Sequence, residues 1–152
     1  MQFILTKELG RLAKWLRILG FDTAYYKQDK PSSLMIQALR EERMILTRNQ
    51  RLPRDRGIRV VLIKEEKIRG QVQEVLKALK LKIRPEQMFS RCILCNEKLE
   101  KIDKEKAKDR VPEYVFKTQV DFITCPKCKR VYWQGTHWGN VRKILEEINW
   151  SS

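Results

Sequence analysis

Apolar positions along the first half of the chain alternate between two rhythms. Phe3-Ile4-Leu5 is a short apolar run that predicts a strand. Leu9, Leu12, Ala13, Leu16 and Leu19 then recur at spacings of three and four, the stripe of an amphipathic helix. Gly20 stands where such a helix closes. Thr23-Ala24-Tyr25-Tyr26 suits a second strand. Pro31-Ser32-Ser33 opens another helix, with Leu34, Met35, Ala38 and Leu39 expected to face the core. Residues 44–47 and 59–63 read as further strands, and a helix is expected from about Gly70 to Leu79 through Val72, Val75 and Leu76. Strands alternating with helices predict a parallel sheet with flanking helices. The functional crevice of such a sheet lies beyond the carboxyl ends of its strands. Thr6-Lys7-Glu8 and Thr47-Arg48-Asn49 fall there.

Residues 83–90 read as a connector, which divides the chain into an α/β domain over 1–88 and a smaller module over 89–152. In the module, Glu97 to Asp109 is charged and expected to be a surface loop. Val141, Ile144, Leu145 and Ile148 mark a closing helix between Trp138 and Trp150.

Composition adds a partner. The chain of 152 residues has a net charge of +14. Residues 1–90 carry 20 Lys and Arg against 10 acids, and residues 91–152 carry 13 against 9, so both parts are basic. A heat-adapted surface explains many charges of both signs, and 34% of residues are charged, but it does not explain the excess. A polyanion does, and nucleic acid is the commonest one in the cytoplasm. No run of 18 apolar residues is present, so no membrane span is expected. The first residues lack a basic stretch and a long apolar stretch, so they predict a strand rather than a signal peptide. A cytoplasmic location follows.

Cys92-Ile93-Leu94-Cys95 and Cys125-Pro126-Lys127-Cys128 form two Cys-x-x-Cys pairs with 29 residues between them. In a reducing compartment, four such cysteines point to tetrahedral thiolate coordination of Zn²⁺ rather than to disulfides. Four protein ligands leave no open position, so the expected role is structural. Iron on the same ligands is the main rival. His137, the single histidine, could be a fifth ligand or a general base. The blander role is a stacking or hydrogen-bonding residue between Thr136 and Trp138.

Several segments resemble the Mut7-C family. They are Leu9-Gly10-Arg11-Leu12-Ala13-Lys14-Trp15-Leu16-Arg17-Ile18-Leu19-Gly20-Phe21-Asp22-Thr23, Ile45-Leu46-Thr47-Arg48-Asn49, the Cys pairs with Val111-Pro112, and Tyr132-Trp133-x-Gly135-Thr136-His137-Trp138. The resemblance spans nearly the whole chain. It implies a PIN-like nuclease fold joined to a zinc ribbon, and ribonuclease activity on RNA. It also implies Asp at the positions of Thr6 and Asn49, and a further acid near Pro31 to Ser33. This chain has none of these. Mg²⁺ or Mn²⁺ needs anionic oxygen ligands to polarise water and phosphate, and Thr and Asn offer neutral oxygens. Glu8, Asp22 and Asp55 are the acids left to substitute, with Asp22 read as structural.

Losing acids from a phosphate-binding cleft removes repulsion, and the basic residues remain. They are Lys7, Arg11, Lys14 and Arg17 along the first helix, and Arg48, Arg51, Arg54 and Arg56 in one loop. Lys127, Lys129 and Arg130 belong to the second Cys pair. Arginine suits bidentate phosphate contact. Tyr132, Trp133, His137 and Trp138 could stack on unpaired bases, or form the seam between the two parts. The expected function is an RNA-binding protein with a degenerate nuclease site, with ribosomal RNA or the ribosome as partner. The alternatives are an active metal-dependent endoribonuclease and a protein-interaction module built on the ribbon.

Overall fold

The structure is a computed structural model that describes residues 1–53 and 57–133. Strand β1 (Gln2–Thr6) leads through a 3₁₀ turn to helix α1 (Gly10–Ile18) and strand β2 (Asp22–Tyr26). Helix α2 (Pro31–Arg40) and strand β3 (Met44–Thr47) follow, then strand β4 (Val60–Leu62) and helix α3 (Ile68–Ala78). The sheet order is β2-β1-β3-β4 and every pairing is parallel. This is the α/β architecture that the apolar rhythm predicts.

Burial explains why these strands form. Phe3, Ile4 and Leu5 are all fully buried, as a central parallel strand covered on both faces requires. Phe3 and Leu5 point with Leu46 into a core under α1 and α3. Ile4 and Ile45 point the other way, under Leu34, Met35 and Ala38 of α2. Leu39 departs from expectation, being 51% exposed. It lies about 100° round the helix from Ala38 and off the narrow stripe that α2 presents.

Helix α1 ends in a Schellman turn. The Phe21 amide donates to the Leu16 carbonyl at 2.9 Å and the Gly20 amide to that of Arg17 at 3.0 Å. Gly20 has φ +96°, a conformation costly for a side chain. The connector packs over this turn. Ile83 is buried, Met88 and Phe89 pack on the first core, and the Phe89 amide donates to the Ile18 carbonyl at 2.8 Å.

The second sheet is antiparallel, in the order β5 (Glu100–Ile102), β6 (Phe122–Thr124), β7 (Val131–Trp133). Helices α4 (Lys104–Ala107) and α5 (Glu113–Thr118) lie in the connection from β5 to β6. Residues 97–109 are therefore not a plain surface loop. Ala107 is fully buried and joins Val115, Phe122 and Val131 in a small core, with Trp133 packed against it. Ile102 of β5 packs against the same core, so this charged segment contributes apolar contacts at two points. The closing helix expected at 138–150 lies outside the described residues. Among the described residues no helix is long and apolar enough to cross a membrane.

Candidate functional site

The four cysteines come together. Their sulfurs all lie within 4.8 Å of one another, and Cys92 Sγ is 3.8 Å from Cys128 Sγ. Tetrahedral ligation with metal–sulfur bonds of about 2.3 Å places sulfurs about 3.8 Å apart, so the cluster fits a metal ion such as zinc. Two matching turns build it. The Asn96 amide donates to the Cys92 carbonyl and the Lys129 amide to that of Cys125, both at 2.9 Å. The returning bonds run from Cys92 N to Glu97 O at 2.8 Å and from Cys125 N to Arg130 O at 3.0 Å. Asn96 and Lys129 hold the same place in the two turns, with φ of 67° and 65°. The Tyr132 hydroxyl lies 3.1 Å from Cys92 Sγ and can donate to a thiolate there. As free thiols Cys95 and Cys128 are mismatched. Burial pushes Cys95 up to about 12, while the backbone amide of Arg130 first among several donors holds Cys128 down at about 7. A cation among the sulfurs removes that conflict.

The first Cys turn docks on the amino end of the parallel sheet. Asn96 bridges the two, accepting from the Thr23 amide at 2.9 Å and donating to Asp22 Oδ1 at 2.7 Å. Asp22 also takes Arg43 Nη1 at 2.8 Å, and Arg91 Nη2 stands 3.8 Å from its other oxygen. Burial would raise the Asp22 pKa, but the hydrogen bonds from Asn96 and Arg43 outweigh it and the net shift is downward. Asp22 pairs in register with Gln2, so it sits about 13 Å along β1 from Thr6. It is not a substitute acid for the crevice. Arg17 does not join the exposed basic face expected of the first helix. It is buried, with Nε donating to the Thr23 carbonyl at 2.9 Å and Nη1 to the Ile93 carbonyl at 2.8 Å. Its guanidinium joins α1 to the first Cys turn and does not face solvent with Arg11 and Lys14, which are exposed.

At the opposite end of the sheet the connections leave β1 and β3 in opposite directions, which opens a crevice between their ends. Thr6, Glu8, Thr47 and Arg48 meet there. The Thr6 hydroxyl donates to Glu8 Oε1 at 2.6 Å and lies 2.9 Å from the Thr47 hydroxyl. The Thr47 hydroxyl is 3.2 Å from the same carboxylate oxygen, and the Arg48 amide donates to it at 2.9 Å. Burial would raise the Glu8 pKa, yet the bonds from Thr6, the Arg48 amide and Thr47 leave it below its ordinary value. Asn49 turns its side chain to the backbone, accepting from the Arg51 amide at 3.0 Å.

Glu8 and Asn49 line a cleft of about 200 Å³ together with Thr6, Lys7, Asp29 and Lys30. Asp29 is the acid that sequence reasoning missed. It follows β2, two residues before the helix start where an acid was sought. The rule that placed the crevice at strand ends also marks it. Lys7 Nζ sits on Asp29 Oδ2 at 2.6 Å. Among the described residues, the four cysteines are the only group of three or more acidic, histidine or cysteine side chains close enough to share an ion.

Arg48 is partly buried, with Nη2 3.4 Å from the Lys64 carbonyl. Arg51 is exposed, as are Lys127, Lys129 and Arg130 on the second Cys turn. Arg54, Asp55, Arg56, His137 and Trp138 lie outside the described residues.

The family model of the Mut7-C RNAse domain matches residues 1–145. No curated protein and no solved structure matches the chain.

Proposed function

The chain belongs to the Mut7-C RNAse domain family, and from that premise we propose that it binds RNA on a ribonuclease scaffold whose hydrolytic site has degenerated. The observation that carries this reading is the meeting of Thr6, Thr47 and Glu8 at the ends of β1 and β3. Hydroxyls occupy the ground where a divalent cation would need carboxylates. Glu8 spends one oxygen on positioning those hydroxyls and the Arg48 amide. Asp29 is offset by Lys7. What remains for a phosphate is Lys30 on the cleft wall and a net charge of +14 over the chain. The family supports RNA as the polyanion, and the charge of both parts supports ribosomal RNA or the ribosome, in the cytoplasm.

In this reading the cysteine cluster holds Zn²⁺, which closes the ribbon and supplies no chemistry to the crevice, because all four positions are filled by thiolates. Its docking at the other end of the sheet supports that separation.

The second reading, an active endoribonuclease using Mg²⁺ or Mn²⁺, has one observation in its favour: Glu8 and Asp29 line the same cleft. A cleavage time course on RNA with either ion separates the two. We expect the native protein to bind without cutting, and Thr6→Asp/Asn49→Asp to gain metal-dependent cleavage. Cleavage by the native protein that EDTA stops, and that Glu8→Ala or Asp29→Ala abolishes, establishes the second reading instead.

A further inference from the structure

A second, larger cleft lies at the amino end of the parallel sheet. It is about 820 Å³ and open to solvent along the seam between the α/β part and the first Cys turn. Its floor is the turn from Gly20 to Asp22. One wall is the segment after α3, and the other includes Arg91 and Lys98 of the ribbon.

The segment after α3 has a pattern of its own. Leu81 and Ile83 pack into the core under α1 and α3. Lys80, Lys82 and Arg84 alternate with them, line the cleft and are exposed. Extended backbone spaces such residues about 6.6 Å apart, a spacing comparable to that of successive phosphates on an extended strand. Lys80 is set by the end of the helix. It occupies the closing position of α3, with φ +51°, where the Leu81 amide returns to the Leu76 carbonyl at 2.9 Å. Glycine is favoured there, and a lysine costs conformational energy. Glu42 closes α2 in the same way, with φ +54° and the Arg43 amide on the Ala38 carbonyl, so the turn fixes where the Lys80 side chain leaves the helix.

Charge in the cleft is unbalanced. Asp22 is committed to Arg43 and Asn96, with Arg91 beside it. That leaves Glu86 against Lys80, Lys82, Arg84 and Lys98. Among the described residues none of these four cations has an ion pair.

We propose that this cleft is a second nucleic-acid site, which holds the phosphodiester backbone of single-stranded RNA against Lys80, Lys82, Arg84 and Lys98. It is separate from the crevice at Thr6 and Thr47 and does not depend on it. RNA bound at both ends would run along the edge of the molecule, with the ribbon as one wall of its path.

The test compares two variants of the full, metal-loaded chain for binding to a single-stranded RNA oligonucleotide across a salt series. One is Lys80→Gly/Lys82→Gln/Arg84→Gln, in which the glycine also relieves backbone strain, so the fold is retained. The other is Lys7→Gln/Lys30→Gln in the crevice, which both lysines line. Loss of three phosphate contacts lowers the slope of log K against log salt by about 2 and weakens binding about 50-fold near 0.15 M salt. Those changes in the first variant, with thermal stability and metal content unchanged, are the expected result. If the first variant keeps native affinity and slope while the crevice variant loses both, the second site is refuted and the crevice reading stands. If only the first variant loses affinity, the second site stands and the crevice is not where RNA binds. Native protein that binds no RNA refutes both, and poly-glutamate competing as well as RNA refutes the choice of partner.

Discussion

A carboxylate engaged by two hydroxyls and an amide, as Glu8 is, positions its neighbours before it can bind anything else. Asp22 does the same at the far end of β1, for Arg43 and Asn96. Both groups titrate below their ordinary values of 4.5 and 3.8. A depressed folded-state value means that ionisation favours folding above the ordinary value, and that the contribution is lost as pH falls through the lower folded one. Asp22→Asn isolates one of the two. Its Tm should fall at neutral pH, by the equivalent of about 2 kcal/mol for lost charge-assisted bonds. Because Glu8 is unchanged in the variant, the gap to the native curve should narrow only below about pH 3.8, the ordinary aspartate value. A constant gap down to pH 2 would mean that Asp22 acts through packing and not through charge. At this scale the sequence was partly legible. The cysteine pairs carry their own spacing, and the positions of Thr6 and Asn49 were marked as crevice positions by strand order. Arg17 was misread because a helical wheel shows which side a residue takes, but not what another part of the chain lays over it. Asp29 carries no local signal, because it lies between the end of β2 and the start of α2, where neither period applies.

Elements were more legible than residues, because each is set by a local period. Strands β1 and β3 are apolar runs and α1 is a clean stripe. The region from 97 to 109 was not legible, since its strand and short helix are held by a cysteine cluster and a small core assembled from distant residues. Turns show the same division. Gly20 and Lys129 both sit at positive φ, yet one is glycine and the other is not. Gly20→Ala should destabilise by more than 1 kcal/mol. It adds the left-handed penalty of about 1–2 kcal/mol to a collision with the Gln87 carbonyl beside it. Lys129→Gly should be neutral or slightly stabilising, by up to about 1 kcal/mol, because strain relief is set against the entropy of a glycine in the unfolded chain. Urea unfolding of the metal-loaded protein measures both. Equal effects of the same sign would show that backbone conformation does not govern these turns.

Across the whole molecule, the ribbon and the parallel sheet are joined through few groups, and most of them belong to the first Cys turn. The Thr23 amide is the most exact reporter of that joint. It lies on β2, an edge strand, and its outward hydrogen bond goes to Asn96 Oδ1 at 2.9 Å. Asn96 in turn is held at φ 67° by the turn that Cys92 anchors. If the cluster holds a metal as proposed, a chelator releases four thiols, three of them raised or lowered from their ordinary range, and takes away what holds the turn closed. Asn96 then has nothing to keep it over the sheet edge, and Arg17 loses its acceptor at Ile93. Amide exchange should therefore quicken at Thr23 when the chelator is added, while the Leu5 and Leu46 amides in the sheet centre keep their protection. Restoring Zn²⁺ should restore Thr23. If Thr23 stays protected without metal, the joint is carried by the connector packed over Gly20, and the cysteine cluster stabilises the ribbon alone. If Leu5 and Leu46 lose protection as well, the two sheets unfold as one cooperative unit, and the few hydrogen bonds through Asp22, Asn96 and Arg17 couple them more strongly than their number implies.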